Sequence, residues 1–177
     1  DPKELEECLK YLCTKNKKPT YLRIGKSGEQ NFTSNSFSKW SFNKPRQIIN
    51  GKKVCLIATG PIIKLYFQVL NKLKEKNIFP SIYSFHTLKP TNVKDLKKIF
   101  KKYNFIFSLE DISEINGLSS MIKNAAFDEN YKGIFHSFAL KDKYIKNYGS
   151  QDDLLKSHGI SSDIVYKTII NKVKKWI

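Results

Sequence analysis

The sequence is poor in cysteine and nearly devoid of arginine, and it has no long apolar run. Three cysteines, Cys8, Cys13 and Cys55, occur in 177 residues. They cannot all pair, they lack metal-ligand spacing, and Cys55 lies in the middle of an apolar stretch. This excludes a disulfide scaffold and points to inert thiols in a reducing compartment, so a cytoplasmic protein is expected. No apolar run approaches the roughly 20 residues of a membrane span, and no charged-then-apolar leader is seen at the start, so solubility and no membrane partner are expected. The chain enters at Asp1 directly into Glu4-Leu5-Glu6-Glu7-Cys8-Leu9, as expected of a piece of a longer polypeptide. No Gly-x-Gly-x-x-Gly occurs, because Gly60 is followed by Pro61, and no Walker lysine loop occurs. Those absences remove the dinucleotide and nucleotide-triphosphate fingerprints. No internal repeat or low-complexity tract stands out.

Lysine is abundant. The net charge is +16, yet among the 32 basic residues only Arg23 and Arg46 are arginine. Base-edge and phosphate recognition favours the arginine fork, and the lysines are scattered over every predicted helix. They read as a solvated surface, with no specific nucleic-acid partner expected. A polyanion-binding protein would instead confine its basic residues to one face.

The organising stretch is Val54-Cys55-Leu56-Ile57-Ala58-Thr59-Gly60-Pro61. Its apolar run predicts a strand buried on both faces, and Gly-Pro predicts a sharp turn. Residues 62–76 place Ile62, Leu65, Tyr66, Val69, Leu70 and Leu73 at helical spacing, and residues 81–85 supply the next strand, completing a βαβ unit. Before it, residues 1–15 predict a helix capped by Asp1, with Leu5, Cys8, Leu9 and Leu12 as its apolar face. Residues 19–25 alternate and predict a strand. Residues 27–42 have linker composition, but Phe32, Phe37 and Trp40 suit a segment lying against a surface. Asn50-Gly51 predicts a hairpin joining residues 46–49 to the central strand, the first strand forming an antiparallel edge. After the βαβ unit come a loop at 86–90, a helix at 93–103, a buried strand at 105–110, a helix at 118–127, a strand at 133–138, a helix at 150–157 capped by Ser150, and a final helix at 161–176. The fold class is α/β: a three-layer, Rossmann-like sandwich with a mostly parallel sheet and an antiparallel edge strand.

Few residues carry chemistry. His86, His136 and His158 are not spaced as ligands and fit packed or loop histidines better than catalysts. Glu110, Asp111 and Glu114 crowd a strand end, where open α/β sheets gather functional groups; they equally suit helix capping or lysine pairing. Arg23, on the predicted 19–25 strand and just before a glycine loop, suits bidentate phosphate binding or a structural ion pair.

Five motifs in order carry a resemblance. They are Pro19-Thr20-Tyr21-Leu22-Arg23; Cys55-Leu56-Ile57-Ala58-Thr59-Gly60; Leu88-Lys89-Pro90; Ser108-Leu109-Glu110 with Asn116-Gly117-Leu118-Ser119-Ser120; and Tyr148-Gly149-Ser150 with Leu154-Leu155 and His158-Gly159-Ile160. Their order resembles the C-terminal part of transketolase-like, thiamine-diphosphate-dependent enzymes, over nearly the whole chain. Transketolases and deoxyxylulose-phosphate synthases are closer than the β subunits of 2-oxoacid dehydrogenases. The resemblance implies that residues 1–25 end a pyrimidine-binding domain, 26–43 form a linker, and 44–177 form the transketolase C-terminal domain. It further implies thiamine diphosphate and Mg²⁺ in the complete enzyme but none bound by this segment, whose sequence lacks the Gly-Asp-Gly motif. It implies a homodimer, partner domains carrying the cofactor, and a phosphosugar substrate whose phosphate is held by Arg23. Where some synthases continue with a Pro-Arg pair, this chain has Ile24-Gly25-Lys26. The function implied is transfer of a two-carbon ketol unit, this region serving architecture and subunit association. The alternatives are the corresponding region of a deoxyxylulose-phosphate synthase and a stand-alone Rossmann-like binding or regulatory module.

Overall fold

A computed structural model describes residues 1–25 and 28–174. Its centre is the Val54–Ala58 strand, every residue of which is buried. Five strands pair in the order β1 (Arg46–Ile49), β3 (Ser81–Ser84), β2 (Val54–Ala58), β4 (Phe105–Ser113) and β5 (Ile134–Leu140). β2, β3, β4 and β5 run parallel, and β1 is antiparallel to β3. Because alternate strand residues point to opposite faces, β2 and β4 supply two cores. Val54, Leu56, Ala58, Phe105, Phe107 and Leu109 meet α2 (Lys64–Lys74), α5 (Gln151–Ser157) and α6 (Ser162–Lys174). Cys55, Ile57 and Ile106 meet α3 (Val93–Lys102) and α4 (Leu118–Asp128) on the other face. The result is the expected three-layer α/β sandwich.

Local signals behave as expected at most ends. Ser150 and Asp153 form a reciprocal capping box on α5; α3 has a cap that was not among those expected, Asn92, which accepts from the Asp95 amide. Pro61 opens a short 3-10 turn, Pro61–Ile63, before α2 begins, so the predicted single helix starts in two pieces. The final helix was expected to reach Trp176; residues 175–177 lie outside the described residues, as do linker residues 26 and 27.

Three expectations are corrected. The edge strand β1 exists, but it does not form a hairpin with β2; it pairs with β3, Arg46 opposite Ser84. Residues 50–53 pass beneath the start of β3: the Gly51 amide donates to Ser81 Oγ at 2.8 Å and the Lys52 amide to the Phe79 carbonyl at 2.8 Å. A Cβ on Gly51 would run into the Phe79 and Pro80 backbone. Both edges of β2 are taken by β3 and β4, so no edge remains for a hairpin partner. Residues 19–25 form no strand and hold no regular structure. Alternating residues make a strand only against a partner edge, and residues 19–25 pair with none of the five strands; Tyr21 is 87% and Ile24 63% exposed. Finally, helix α1 (Pro2–Thr14) is capped by Asp1 as expected, but its apolar residues do not form a buried face. Leu5, Cys8 and Leu12 are half-buried, Leu9 is exposed, and Glu4 is the residue of α1 that is buried.

Candidate functional site

The chain leaves β2 through α2 to lay β3 on one side, then returns through α3 to lay β4 on the other. The carboxyl ends of β2 and β4 therefore flank a switch point, the crevice where open α/β sheets gather ligands. On the β2 side, Gly60 (φ 75°) turns the chain into Pro61, and the Thr59 amide donates to the Leu109 carbonyl at 3.2 Å. On the β4 side the strand runs on past its expected end at Glu110 to Ser113, with an irregular register against β5 between Leu109 and Ser113. Such irregularities re-aim side chains at strand ends. Here adjacent carboxylates acquire different tasks.

Glu110 is completely buried. Its carboxylate accepts the Leu118 amide at 2.7 Å, the Ser119 amide at 2.8 Å, and the Ser119 hydroxyl. Helix α4 follows Gly117, which has no capping side chain, so a strand carboxylate satisfies its first amides and complements its dipole. Of the possibilities left open by the sequence, Glu110 is a helix cap. Glu114 contributes through its backbone, its amide bonding the Leu140 carbonyl at 2.8 Å.

Asp111 instead faces Arg23, 88 residues earlier. Arg23 Nη1 donates to Oδ1 at 3.0 Å and Nη2 to Oδ2 at 3.2 Å, a two-point fork. The carboxylate side chain is 14% exposed and the arginine side chain 54%. Nearby, a Cβ on Gly25 would lie 3.5 Å from Pro61 Cγ. The irregular segment holding Arg23 thus lies across the switch point. The three histidines are not brought there. His86 lies on the Trp40 ring, centroids 5.1 Å apart, and burial pushes its pKa down to about 4. His136 is also pushed down to about 4, first by burial and then by Lys172 and Lys123. His158 is buried and accepts the Lys141 amide at Nδ1, 2.9 Å. Among the described residues no group of three or more His, Cys, Asp or Glu side chains could hold a metal ion. Exposed lysines 72, 74, 76, 94, 97, 98, 101 and 102 stud α2, its C-terminal turn and α3.

A second cluster is marked in the sequence only by the Asp1 cap. The Asp1 carboxylate accepts the amides of Glu4 (2.8 Å), Phe32 and Thr33 (2.6 Å) and the Thr33 hydroxyl (2.7 Å). The Thr33 carbonyl accepts from Arg46 Nη2 at 3.0 Å, and Arg46 Nη1 lies 4.0 Å from Glu4 Oε1. Ser84, at the end of β3, donates to Glu4 Oε2 at 2.5 Å. Desolvation by burial raises the Glu4 pKa against the opposing pull of Ser84 and Arg46. This clasp fastens α1 and residues 28–45 to the sheet. The linker aromatics follow it down: Phe32 stacks on Phe67 with centroids 4.6 Å apart, and Phe42 on Tyr11 at 4.3 Å. Phe37 stays 64% exposed.

Residues 44–165 match the family model "Transketolase, C-terminal domain". Over 167 residues the chain is 27% identical to 1-deoxy-D-xylulose-5-phosphate synthase of Clostridium tetani, covering 94% of this chain and 26% of that protein. Over 172 residues it is 28% identical to the synthase of the same name from Clostridium beijerinckii, covering 96% and 28%. Its fold superposes with a TM-score of 0.72 on a split-gene transketolase described as an inactive β4 tetramer, at 19% identity, covering 85% of this chain and 48% of that one. The chain spans about a quarter of the length of those synthases. On the strength of the matched domain and the five-stranded topology, this chain belongs to the transketolase C-terminal domain family.

Proposed function

We propose that this chain is the C-terminal part of a transketolase-like enzyme that transfers a two-carbon ketol unit between phosphosugars. Residues 1–25 end an upstream pyrimidine-binding domain, 26–43 link it, and 44–177 serve architecture and subunit association in a homodimer. Thiamine diphosphate and Mg²⁺ belong to the upstream domains. The residues here do not fit that group: Glu110 is committed to the α4 amides and Asp111 to Arg23. The carbanion chemistry is the cofactor's own, while this segment contributes Arg23 toward the substrate phosphate. The observation carrying this reading is the position of Arg23, a half-exposed guanidinium held at the switch point between β2 and β4. A deoxyxylulose-phosphate synthase is the second reading, supported by the names of the curated relatives; it keeps the same phosphate role for Arg23.

The test is Arg23→Ala in the complete enzyme, assayed with glyceraldehyde 3-phosphate and with glyceraldehyde as acceptor. A hydrogen bond to a charged group contributes about 1.5 to 3 kcal/mol, so KM for the phosphorylated acceptor should rise roughly 10- to 150-fold with kcat nearly unchanged. Lysine at position 23 restores charge without the fork and should recover part of the loss. Equal losses for both acceptors would make Arg23 a structural ion-pair residue and end the phosphate reading.

A further inference from the structure

We propose that Asp111 is a positioning residue for Arg23, holding one edge of the guanidinium so that the adjoining edge is presented to the phosphate of the acceptor. The inference rests on the phosphate reading of Arg23 given above. A guanidinium carries five N–H donors in a rigid plane. Asp111 accepts one from Nη1 and one from Nη2, which is the edge between the two terminal nitrogens. The side edge, made by Nε–H and the second N–H of Nη2, donates to none of the described residues. A phosphate can therefore take two parallel hydrogen bonds from that edge while Asp111 keeps the other, and neither displaces its rival.

Arg23 needs such a holder because its own backbone supplies little. Residues 19–25 form no ladder of backbone hydrogen bonds with the described residues, and the Arg23 side chain is 54% exposed, so without a holder on this surface the arginine keeps nearly all its rotamer freedom. Asp111 is the opposite. It extends from β4, a strand of the core sheet, with only 14% of its side chain exposed. Its neighbour Glu110 is locked onto the first amides of α4. The sheet thus fixes the carboxylate, and the carboxylate fixes the arginine.

The experiment uses the complete enzyme with Asp111→Ala and Asp111→Asn, the two acceptors named above, and Arg23→Ala alone and combined with Asp111→Ala. Asp111→Ala should raise KM for glyceraldehyde 3-phosphate roughly 3- to 30-fold, the range set by the rotamer freedom returned to one arginine. The kcat should stay within about twofold and the glyceraldehyde kinetics should not move. Asp111→Asn keeps one acceptor oxygen and should fall between. Adding Asp111→Ala to Arg23→Ala should do nothing further, since one residue acts through the other. An unchanged KM in Asp111→Ala would show that the chain alone places Arg23. A lowered KM would make Asp111 a competitor of the phosphate, and equal loss with both acceptors would make it a tie between segments. Each overturns the proposal. If Arg23→Ala is phosphate-selective while Asp111→Ala is not, only the positioning role fails; if Arg23→Ala is itself unselective, the phosphate reading fails first.

Discussion

The two faces of the sheet and the N-terminal clasp are held to the same strands by opposite means. In the sheet, β2 and β4 bury Leu56, Ile57, Ile106, Phe107 and Leu109 completely, and the attachment is apolar, non-directional and proportional to area. In the clasp, α1 buries Glu4 where its leucines remain partly wet, and attachment runs through directed bonds among Asp1, Thr33, Glu4, Arg46 and Ser84. Apolar burial survives pH change and tolerates imprecise geometry. A polar clasp does neither, because each buried polar group must keep its partner.

Three substitutions and conditions sharpen that contrast. Leu56→Ala, in the middle of β2, should lower unfolding free energy by about 2 to 5 kcal/mol, because a buried leucine loses both its transfer energy and its packing; a urea midpoint changed by no more than a surface mutation would place the core elsewhere. The second is acid titration. The His86 pKa lies at about 4 against an ordinary 6.5, so between those values the unfolded chain binds the proton and the folded chain does not. Stability contributed by neutral His86 is complete above about 6.5 and falls as pH drops towards 4, by at most about 3 kcal/mol, and less in proportion to the solvent reaching this half-buried ring. His86→Phe should flatten that part of the stability profile, leaving the separate contribution of His136, whose pKa is shifted in the same direction. Glu4 works with the opposite sign: its raised pKa means that its contribution is complete below the unfolded value and is lost as pH rises through the folded one. The smallest effect is Asp1→Ala, which removes the α1 cap and should lose about 0.5 to 2 kcal/mol. Hydrogen exchange should accelerate in α1 and at residues 32–33 while the amides of β2 and β4 stay protected; uniform acceleration would mean that clasp and sheet unfold as one unit.

The site was partly legible in the same way. Arg23 stood out because arginine is so scarce here, and Glu110 and Asp111 because carboxylates at a strand end are conspicuous. Their division of labour was not legible. One points to α4 and the next to Arg23, since successive strand residues face opposite ways and the register against β5 is irregular there. The Glu4–Arg46–Ser84 contact joins residues 80 apart in sequence, and nothing in local spacing marks it.

The sequence by itself determined the elements whose signals are local: the β2 apolar run, the caps of α1 and α5, the helical periodicities and the α/β alternation. These depend on a residue and its neighbours within a few positions, where backbone geometry dictates the outcome. Tertiary structure alone decided whatever depends on a partner distant in the chain. It gave β1 to β3 in place of β2, left residues 19–25 without a strand, buried Glu4 ahead of the α1 leucines, and set Asp111 against Arg23. A strand is completed by an edge and a charge by a counter-charge, and the chain must fold before either edge or counter-charge has a position.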